Sequence, residues 1–178
     1  DYPFVHGKAI QHAGHYSFVS CSNETLESGS ADLNPYPIVD IIFGAEQKAL
    51  GTATETALAD YCRNGGKLLV SGSYVGSRLG TDNFTRNILK YTYGGSMINF
   101  GTNIRFNIPR RANQVSYAVP APDCILPTRE SFPAFIYTEG SYSAGVAYKG
   151  NDYRTFVMGF PFESVQGAGQ RDHIMSSI

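Results

Sequence analysis

The sequence predicts an α/β fold with a mostly parallel sheet, and residues 37–76 carry most of that prediction. A short apolar run, Ile38–Phe43, is interrupted only by Asp40, and a second apolar run covers Leu68–Val70. Continuous apolar runs of this length are typical of strands that are covered on both faces. Between them, Thr52–Arg63 has apolar residues at helical spacing and ends before a Gly-Gly stop signal. Strand, helix and strand in this order predict a right-handed βαβ unit.

The composition indicates one globular domain that spans residues 1–178. The chain is 42% hydrophobic and 16% charged, which suits a protein with a substantial buried core. A net charge of −1 gives no reason to expect a nucleic-acid partner. No apolar run approaches the roughly 20 residues that a membrane-spanning helix needs. We therefore expect neither a nucleic-acid partner nor a membrane span.

The segment before the central unit predicts two short helices and one strand. Residues 7–13 read as a helix, and residues 16–21 read as a strand because they contain an apolar pair. Ser22 offers an N-cap for a second helix that ends near Gly29. Because an open parallel sheet normally begins with a strand, we expect its first strand to lie upstream of Asp1 or to come from elsewhere.

The segment after the central unit predicts a change from helices to antiparallel strands. Asp82 is placed to cap a helix. In residues 91–150, short alternating runs are separated by Pro, Gly and Asn, which predicts antiparallel strands or an irregular insertion. A hairpin is predicted around Lys149–Asp152, since Gly-Asn-Asp is strong turn chemistry. Arg171–Ile178 reads as a helix cut off in mid-pattern, so we expect a fragment of a longer multidomain protein.

Cysteines and histidines indicate no metal site and no cofactor. The three cysteines have no CxxC spacing, which predicts neither a disulfide framework nor a metal centre. Cys21 and Cys62 have apolar neighbours, so we expect both to be buried thiols. The histidines lack the HExxH spacing of a zinc site, and we expect them to be exposed or to cap helices. They are His6, His12, His15 and His173.

Candidate site residues follow the predicted strands, because open α/β sheets bind ligands in the crevice at the carboxyl ends of their strands. Glu46, Ser73 and Glu163 each follow one strand, and we expect them to converge as candidate catalytic groups. The alternative for Ser73 is a turn serine, and for the two glutamates a carboxylate held at a helix N-terminus. The binding candidates are the other residues of the second turn, Ser71, Gly72 and Tyr74.

A basic cluster in the insertion is a second candidate surface. Arginine and asparagine side chains can neutralise the carboxylate of a uronic acid, and a tyrosine can act as a base. The alternative is a solvated strand edge, since edge strands commonly carry charge. The binding candidates here are Arg105 and Arg110, with Asn107, Arg111 and Tyr117 nearby.

The order of these elements resembles the class I glutamine amidotransferase-like fold, a flavodoxin-like three-layer α/β/α sandwich. That family carries a nucleophilic cysteine on a tight strand-to-helix turn, and a histidine and glutamate in a phrase of the form FHPE before the last helix. Here the turn Val70–Gly76 occupies the nucleophile's place without a cysteine, and Pro161 stands at the histidine's position. Glu163 matches the glutamate. The resemblance implies the fold without glutaminase chemistry, because that chemistry requires a thiolate beside an imidazole.

A second resemblance covers nearly the whole chain. The phrases DIIFGAEQ, YCRNGGKLLVSGSYVG, GVAYKGNDYRTFVMGFPFES and RDHIM are similar to a domain of large secreted bacterial proteins that are often labelled xanthan lyase or linked to cell-wall amidases. This implies a secreted, periplasmic or surface location. It also implies two kinds of partner: neighbouring domains of the same chain, and a polysaccharide or peptidoglycan.

Three functions stay open at this point. The missing cysteine and Pro161 favour a non-catalytic domain that binds or packs against neighbouring domains. The family label favours a polysaccharide lyase or hydrolase. The 12 tyrosines favour a carbohydrate-binding module, because aromatic faces stack on sugar rings.

Overall fold

The computed structural model describes residues 2–97, 119, 121–137 and 142–178, together with the backbone of 105–108 and 111–114. The helices are α1 (Tyr2–Gly14), α2 (Asn23–Glu27), α3 (Thr52–Arg63), α4 (Val75–Arg78), α5 (Asp82–Asn87) and α6 (Ala168–Met175), and a 3₁₀ turn covers Phe162–Ser164. The strands are β1 (Ile38–Gly44), β2 (Lys67–Gly72), β3 (Tyr91–Ser96), β4 (Arg105–Ile108), β5 (Arg111–Gln114), β6 (Asp123–Pro127), β7 (Phe132–Tyr137), β8 (Ser143–Lys149) and β9 (Arg154–Met158).

The described strands form one large mixed sheet and one small antiparallel sheet. The large sheet has the order β1-β2-β9-β8-β7-β4-β5, and β3 pairs with β6 in the small one. Strands β1, β2 and β9 are parallel, whereas the remaining neighbours in the large sheet pair antiparallel. The α/β class is therefore confirmed. The predicted β8–β9 hairpin and antiparallel pairing within residues 91–150 are present as well.

The central βαβ unit forms as its sequence predicts. Helix α3 covers Thr52–Arg63, and parallel β1 and β2 flank it in the chain. Gly65 has a φ of +95°, a left-handed conformation that glycine adopts without a β-carbon clash. The Gly66 N–H donates to the Tyr61 carbonyl at 3.0 Å, which satisfies one of the free carbonyls at the helix end. The glycine pair therefore sets where the helix ends.

Apolar side chains pack in two clusters on opposite faces of the large sheet. Val70 of β2 packs in a cluster with Leu58 of α3. Its neighbour Leu69 belongs to a second cluster, with Ala9 of α1 and Ile174 of α6. Because successive strand residues point to opposite faces, α3 covers one face of β2 while α1 and α6 cover the other. Among the described residues, no helix has the length and apolar character to cross a membrane.

The prediction of a strand at residues 16–21 is wrong. The segment has no regular structure, and the Phe18 ring lies against Gly7 of α1, where any β-carbon would come within 2.2 Å of it. The Tyr16 ring lies against the same helix, at Gly14. A strand needs a neighbouring edge with which to pair, and this segment returns along a helix instead. Helix α1 is also longer than the predicted 7–13.

Two smaller predictions are corrected by the structure. Helix α5 begins at Asp82, but its cap is Thr81, whose hydroxyl accepts a hydrogen bond from the Phe84 N–H. Cys62 is buried as predicted, whereas Cys21 is exposed because its segment does not join the sheet. The described cysteines are free thiols, and Cys124 is buried.

Candidate functional site

The end of β2 and the turn after it contain the predicted site residues Ser71, Gly72, Ser73 and Tyr74. Gly72 has a φ of +154°, and a β-carbon there would come within 2.4 Å of the Phe43 Cβ. Tyr74 adopts the left-handed conformation, with a φ of 58°. Ser71 and Ser73 are buried, and neither hydroxyl has a hydrogen-bond partner within the described parts of the chain. The turn is tight, and neither of its two described serines is exposed as a nucleophile.

The backbone donors of this turn are already used by the protein itself. The N–H groups of Gly72, Ser73 and Tyr74 each donate to a carbonyl of a neighbouring segment. The acceptors are, in that order, the carbonyls of Phe160 (3.3 Å), Gly44 (2.7 Å) and Ala121 (3.1 Å). An oxyanion hole needs N–H groups aimed at the reacting substrate. These three donors point into the fold, so they cannot stabilise an oxyanion.

A buried ionic cluster lies between α1, β1 and the 3₁₀ turn. The His6 Nδ1 atom is 2.6 Å from Oδ2 of Asp40, and its Nε2 atom is 3.4 Å from Oε2 of Glu163. The exposed fractions of the three side chains are 1% for His6, 11% for Asp40 and 5% for Glu163. Residues far apart in the chain therefore share one nearly dry polar site.

The cluster holds a proton on His6. Burial lowers the pKa of the imidazole, but the hydrogen bonds and charges of Asp40 and Glu163 outweigh burial and raise this pKa to about 9. Both ring nitrogens consequently donate at neutral pH, one to each carboxyl group. Such charge-assisted hydrogen bonds are about twice as strong as neutral ones. The cluster thus ties α1 to strand β1 and to the 3₁₀ turn that follows β9.

Packing around the cluster leaves little room for a ligand. The Phe162 ring is fully buried and lies 4.7 Å from the His6 ring, centroid to centroid. The short distance between the His6 Nδ1 and Asp40 Oδ2 atoms is that of a hydrogen bond and leaves no space for a metal ion between them. Within the described residues, no group of three metal-ligating side chains is arranged to hold an ion.

Some of the site residues predicted from the sequence lie at the protein surface, and others lie in its interior. Glu163 lies in the ionic cluster, and Ser73 is buried in the turn. Glu46 is exposed in the loop after β1, where its N–H donates to the Phe43 carbonyl. The Tyr74 hydroxyl accepts a hydrogen bond from the Gln47 amide at 3.2 Å. The catalytic and binding roles of these residues stay predictions.

The basic cluster of the insertion falls outside what the structure describes. Arg110 and Tyr117 are not among the described residues. Arg105, Asn107 and Arg111 lie on strands β4 and β5, of which only the backbone is described. The uronate-binding interpretation of this cluster therefore stays a prediction.

Sequence reasoning missed His6 and Asp40 as site residues, and the prediction that the histidines are exposed or cap helices is wrong for His6, which is 1% exposed. Asp40 is the one charged residue in the apolar run of β1, and a carboxylate on a covered strand needs a partner. That signal was present in the sequence. The partner was not identifiable, because His6 lies 34 residues away on a helix whose histidines all looked equivalent.

Asp123 is a second buried carboxyl group beside the turn. Its Oδ2 atom accepts hydrogen bonds from the N–H and the hydroxyl of Ser77, both at 2.9 Å. Burial raises the pKa of Asp123, and the hydrogen bonds from Ser77 act in the opposite direction. The carboxyl group satisfies backbone donors of α4, so it fixes the helix that follows the turn.

Comparison with known proteins shows similarity of fold. No protein-family model and no curated protein matches this chain. The β-galactosidase of Bacillus circulans sp. alkalophilus aligns with a TM-score of 0.69 and 10% identity, covering 99% of this chain and 26% of that enzyme. The β-galactosidase of Halorubrum lacusprofundi aligns at 0.63 and 16%, covering 95% and 24%. A ThuA-like protein of Parabacteroides merdae aligns at 0.55 and 12%, covering 98% and 81%.

These similarities establish the architecture alone. Sequence identities this low do not show that two proteins share a function. The chain spans about a quarter of the length of the β-galactosidases that it resembles. It spans most of the ThuA-like protein. The same α/β architecture therefore occurs both as one part of large enzymes and as nearly all of a small protein.

Proposed function

We propose that this chain is a non-catalytic, amidotransferase-like domain of a secreted protein that processes polysaccharide or cell wall. In this proposal the sheet and its helices form the family's flavodoxin-like three-layer sandwich, and the former catalytic crevice serves as scaffold and packs against neighbouring domains. One observation carries the proposal. The protein's own groups fill the crevice at the carboxyl ends of the strands, with Phe162 packed against the His6–Asp40–Glu163 cluster.

The side-chain geometry argues against hydrolysis through a serine. A serine nucleophile needs a base within hydrogen-bond reach, and the Ser73 hydroxyl has no partner among the residues described. The carboxyl groups of Asp40 and Glu163 lie at the two ring nitrogens of His6, so Nε2 faces Glu163 and not a hydroxyl group. The imidazole of His6 therefore cannot act as the base for a serine nucleophile.

A glycosidase mechanism with two carboxylates meets a similar obstacle. Such enzymes hold their two carboxyl groups on either side of an open space that receives the sugar and, in inverting enzymes, a water molecule. Here Asp40 and Glu163 are joined by the protonated imidazole of His6, which is buried, and the two carboxyl groups are only 11% and 5% exposed. The space between the two carboxyl groups is occupied by protein.

The association with carbohydrate rests on two kinds of support. Several structural neighbours are β-galactosidases, and the chain spans about a quarter of their length. The phrase resemblance described above points to secreted proteins that act on polysaccharide. A domain without its own chemistry fits such a multidomain enzyme as a structural or binding part.

The alternative is a polysaccharide lyase or hydrolase, or a carbohydrate-binding module, that uses the same crevice. One observation favours it. Four buried side-chain oxygens on β1, on β2 and in the segments that follow β2 and β9 lack a hydrogen-bond partner in the described structure, and they belong to Asp40, Ser71, Ser73 and Glu163. Ser71 pairs in register with Ile42 and so shares a sheet face with Asp40. Unsatisfied buried oxygens are costly, and a small polar ligand would satisfy them.

Turnover measurements test the proposal. The purified chain is incubated with β-galactosides, acidic polysaccharides, muropeptides and glutamine, and products are separated by chromatography. We expect no product above a protein-free control. Turnover that falls by about 100-fold or more in Ser73→Ala or Glu163→Gln, as it does when a catalytic group is lost, would overturn the proposal. The control is Glu24→Gln, at an exposed position on α2, which should leave any such turnover unchanged. Calorimetric binding of a glycan by the inactive wild type would support the binding-module alternative.

A further inference from the structure

An apolar groove opens on the large sheet at the end opposite to the crevice. Its volume is about 470 Å³, and it lies between the amino ends of the parallel strands and the last helix. The volume is within the range of pockets that bind ligands or side chains of a partner. The large apolar side chains that line it include Ile38, Leu69, Phe132, Phe156, Ile174 and Ile178.

Three cations lie side by side along the rim of this groove. Arg154 of β9 pairs in register with Lys67 of β2 on one side and with Lys149 of β8 on the other. All three side chains are exposed, and none of them forms an ion pair within the described parts of the chain. Like charges directly opposite each other on neighbouring strands are destabilising. The isolated domain therefore carries an electrostatic cost that a negatively charged partner would remove.

The charge of the groove has one sign. Besides Lys67, Lys149 and Arg154, the groove is lined by His173, and no described aspartate or glutamate lines it. Two of its apolar side chains are strongly exposed, Ile38 by 47% and Phe132 by 51%. Exposed apolar surface rimmed by polar groups is typical of interaction sites. Charge and apolar surface thus occur together on this face.

We propose that this groove binds an acidic amphipathic polypeptide segment, with apolar side chains in the groove and carboxylates on the Lys67–Arg154–Lys149 row. The apolar interior favours a polypeptide over a polysaccharide, because sugar hydroxyls require hydrogen-bond partners that aliphatic and phenyl groups do not offer. The proposal goes beyond the scaffold function, since it uses a different face of the sheet. It holds whether or not the crevice proves to be catalytic.

Peptide selection with a matched control tests the proposal. A displayed library of random peptides about 12 residues long, a length that spans a typical groove, is selected against the protein. We expect the selected peptides to combine at least two carboxylates with apolar side chains. Their affinity, measured by fluorescence anisotropy, is expected to fall about tenfold or more in the groove variant Lys67→Gln/Lys149→Gln/Arg154→Gln. The control variant, with the same charge change at exposed positions outside the groove, is Lys48→Gln/Arg86→Gln/Arg129→Gln.

Further measurements separate the proposed partner from other occupants. The variant Phe132→Ser, at an exposed position, is expected to weaken binding without a change in the circular dichroism spectrum. Selected peptides without net negative charge, or equal affinity of both triple variants, would contradict the proposal. So would groove-dependent binding of polygalacturonate alone in calorimetry, which would identify an acidic polysaccharide. Dimerisation that the groove variant abolishes in sedimentation would identify a second copy of the chain, and would equally overturn it.

Discussion

Replacing His6 by alanine is expected to lower the free energy of unfolding by about 3–5 kcal/mol, the range observed when one partner of a buried ion pair is removed. Without the imidazole, Asp40 and Glu163 would face each other in a nearly dry site with no cation between them. Glu163→Gln is expected to cost only about 1 kcal/mol, because the protonated His6 keeps Asp40 as its partner. Urea denaturation followed by circular dichroism measures both differences.

A matched control lies on the same helix. His12 is 56% exposed and its Nδ1 atom lies 3.1 Å from Oδ2 of Asp172, so His12→Ala removes a side-chain hydrogen bond in solvent. Exposed pairs contribute about 0–1 kcal/mol, and we expect a correspondingly small change. Equal losses for His6→Ala and His12→Ala would contradict the role assigned to the buried cluster.

Raising the pH from about 6 to about 10 is expected to remove about 3 kcal/mol of stability through His6 alone. The pKa of this imidazole is about 9 in the folded protein and 6.5 in its ordinary state. Between these values the folded protein binds the proton that the unfolded chain releases, so stability falls as pH rises. The contribution is fully present below pH 6.5 and is lost as the pH passes 9.

The difference between wild type and His6→Gln reports on the His6–Asp40–Glu163 cluster, because titrating groups outside the cluster keep their surroundings. We expect the separation between the two stability curves to shrink as the pH rises towards about 9 and to stay constant above it. A constant separation between wild type and His6→Gln over this range would show that His6 does not hold its proton in the fold.

The sequence predicts the centre of this fold well because the signals there are local. The bounds of α3 follow from an apolar pattern that ends at a glycine pair, and Gly65 takes the left-handed conformation that such an ending requires. The β8–β9 hairpin likewise follows from the turn residues between its strands. In both cases the residues that decide the structure are neighbours in the chain.

The candidate site is less accessible to sequence reasoning, because its parts meet only in the folded chain. His6 and Glu163 are 157 residues apart, and no local pattern distinguishes His6 from the two histidines that follow it. The failed strand at residues 16–21 has a similar cause. Phe18 is as apolar as a strand residue, but its neighbour in space is Gly7 of a helix.

The way in which α1 is attached has a consequence for the order of folding. Of its 13 residues, only His6, Gly7 and Ala9 are buried, and His6 binds a residue near the far end of the chain. A contact that closes so long a loop forms after the local βαβ unit has formed. Native-state hydrogen exchange should show α1 opening at a lower free energy than β2, as a separate cooperative unit. Equal protection of α1 and β2 would mean that the helix unfolds only with the whole domain.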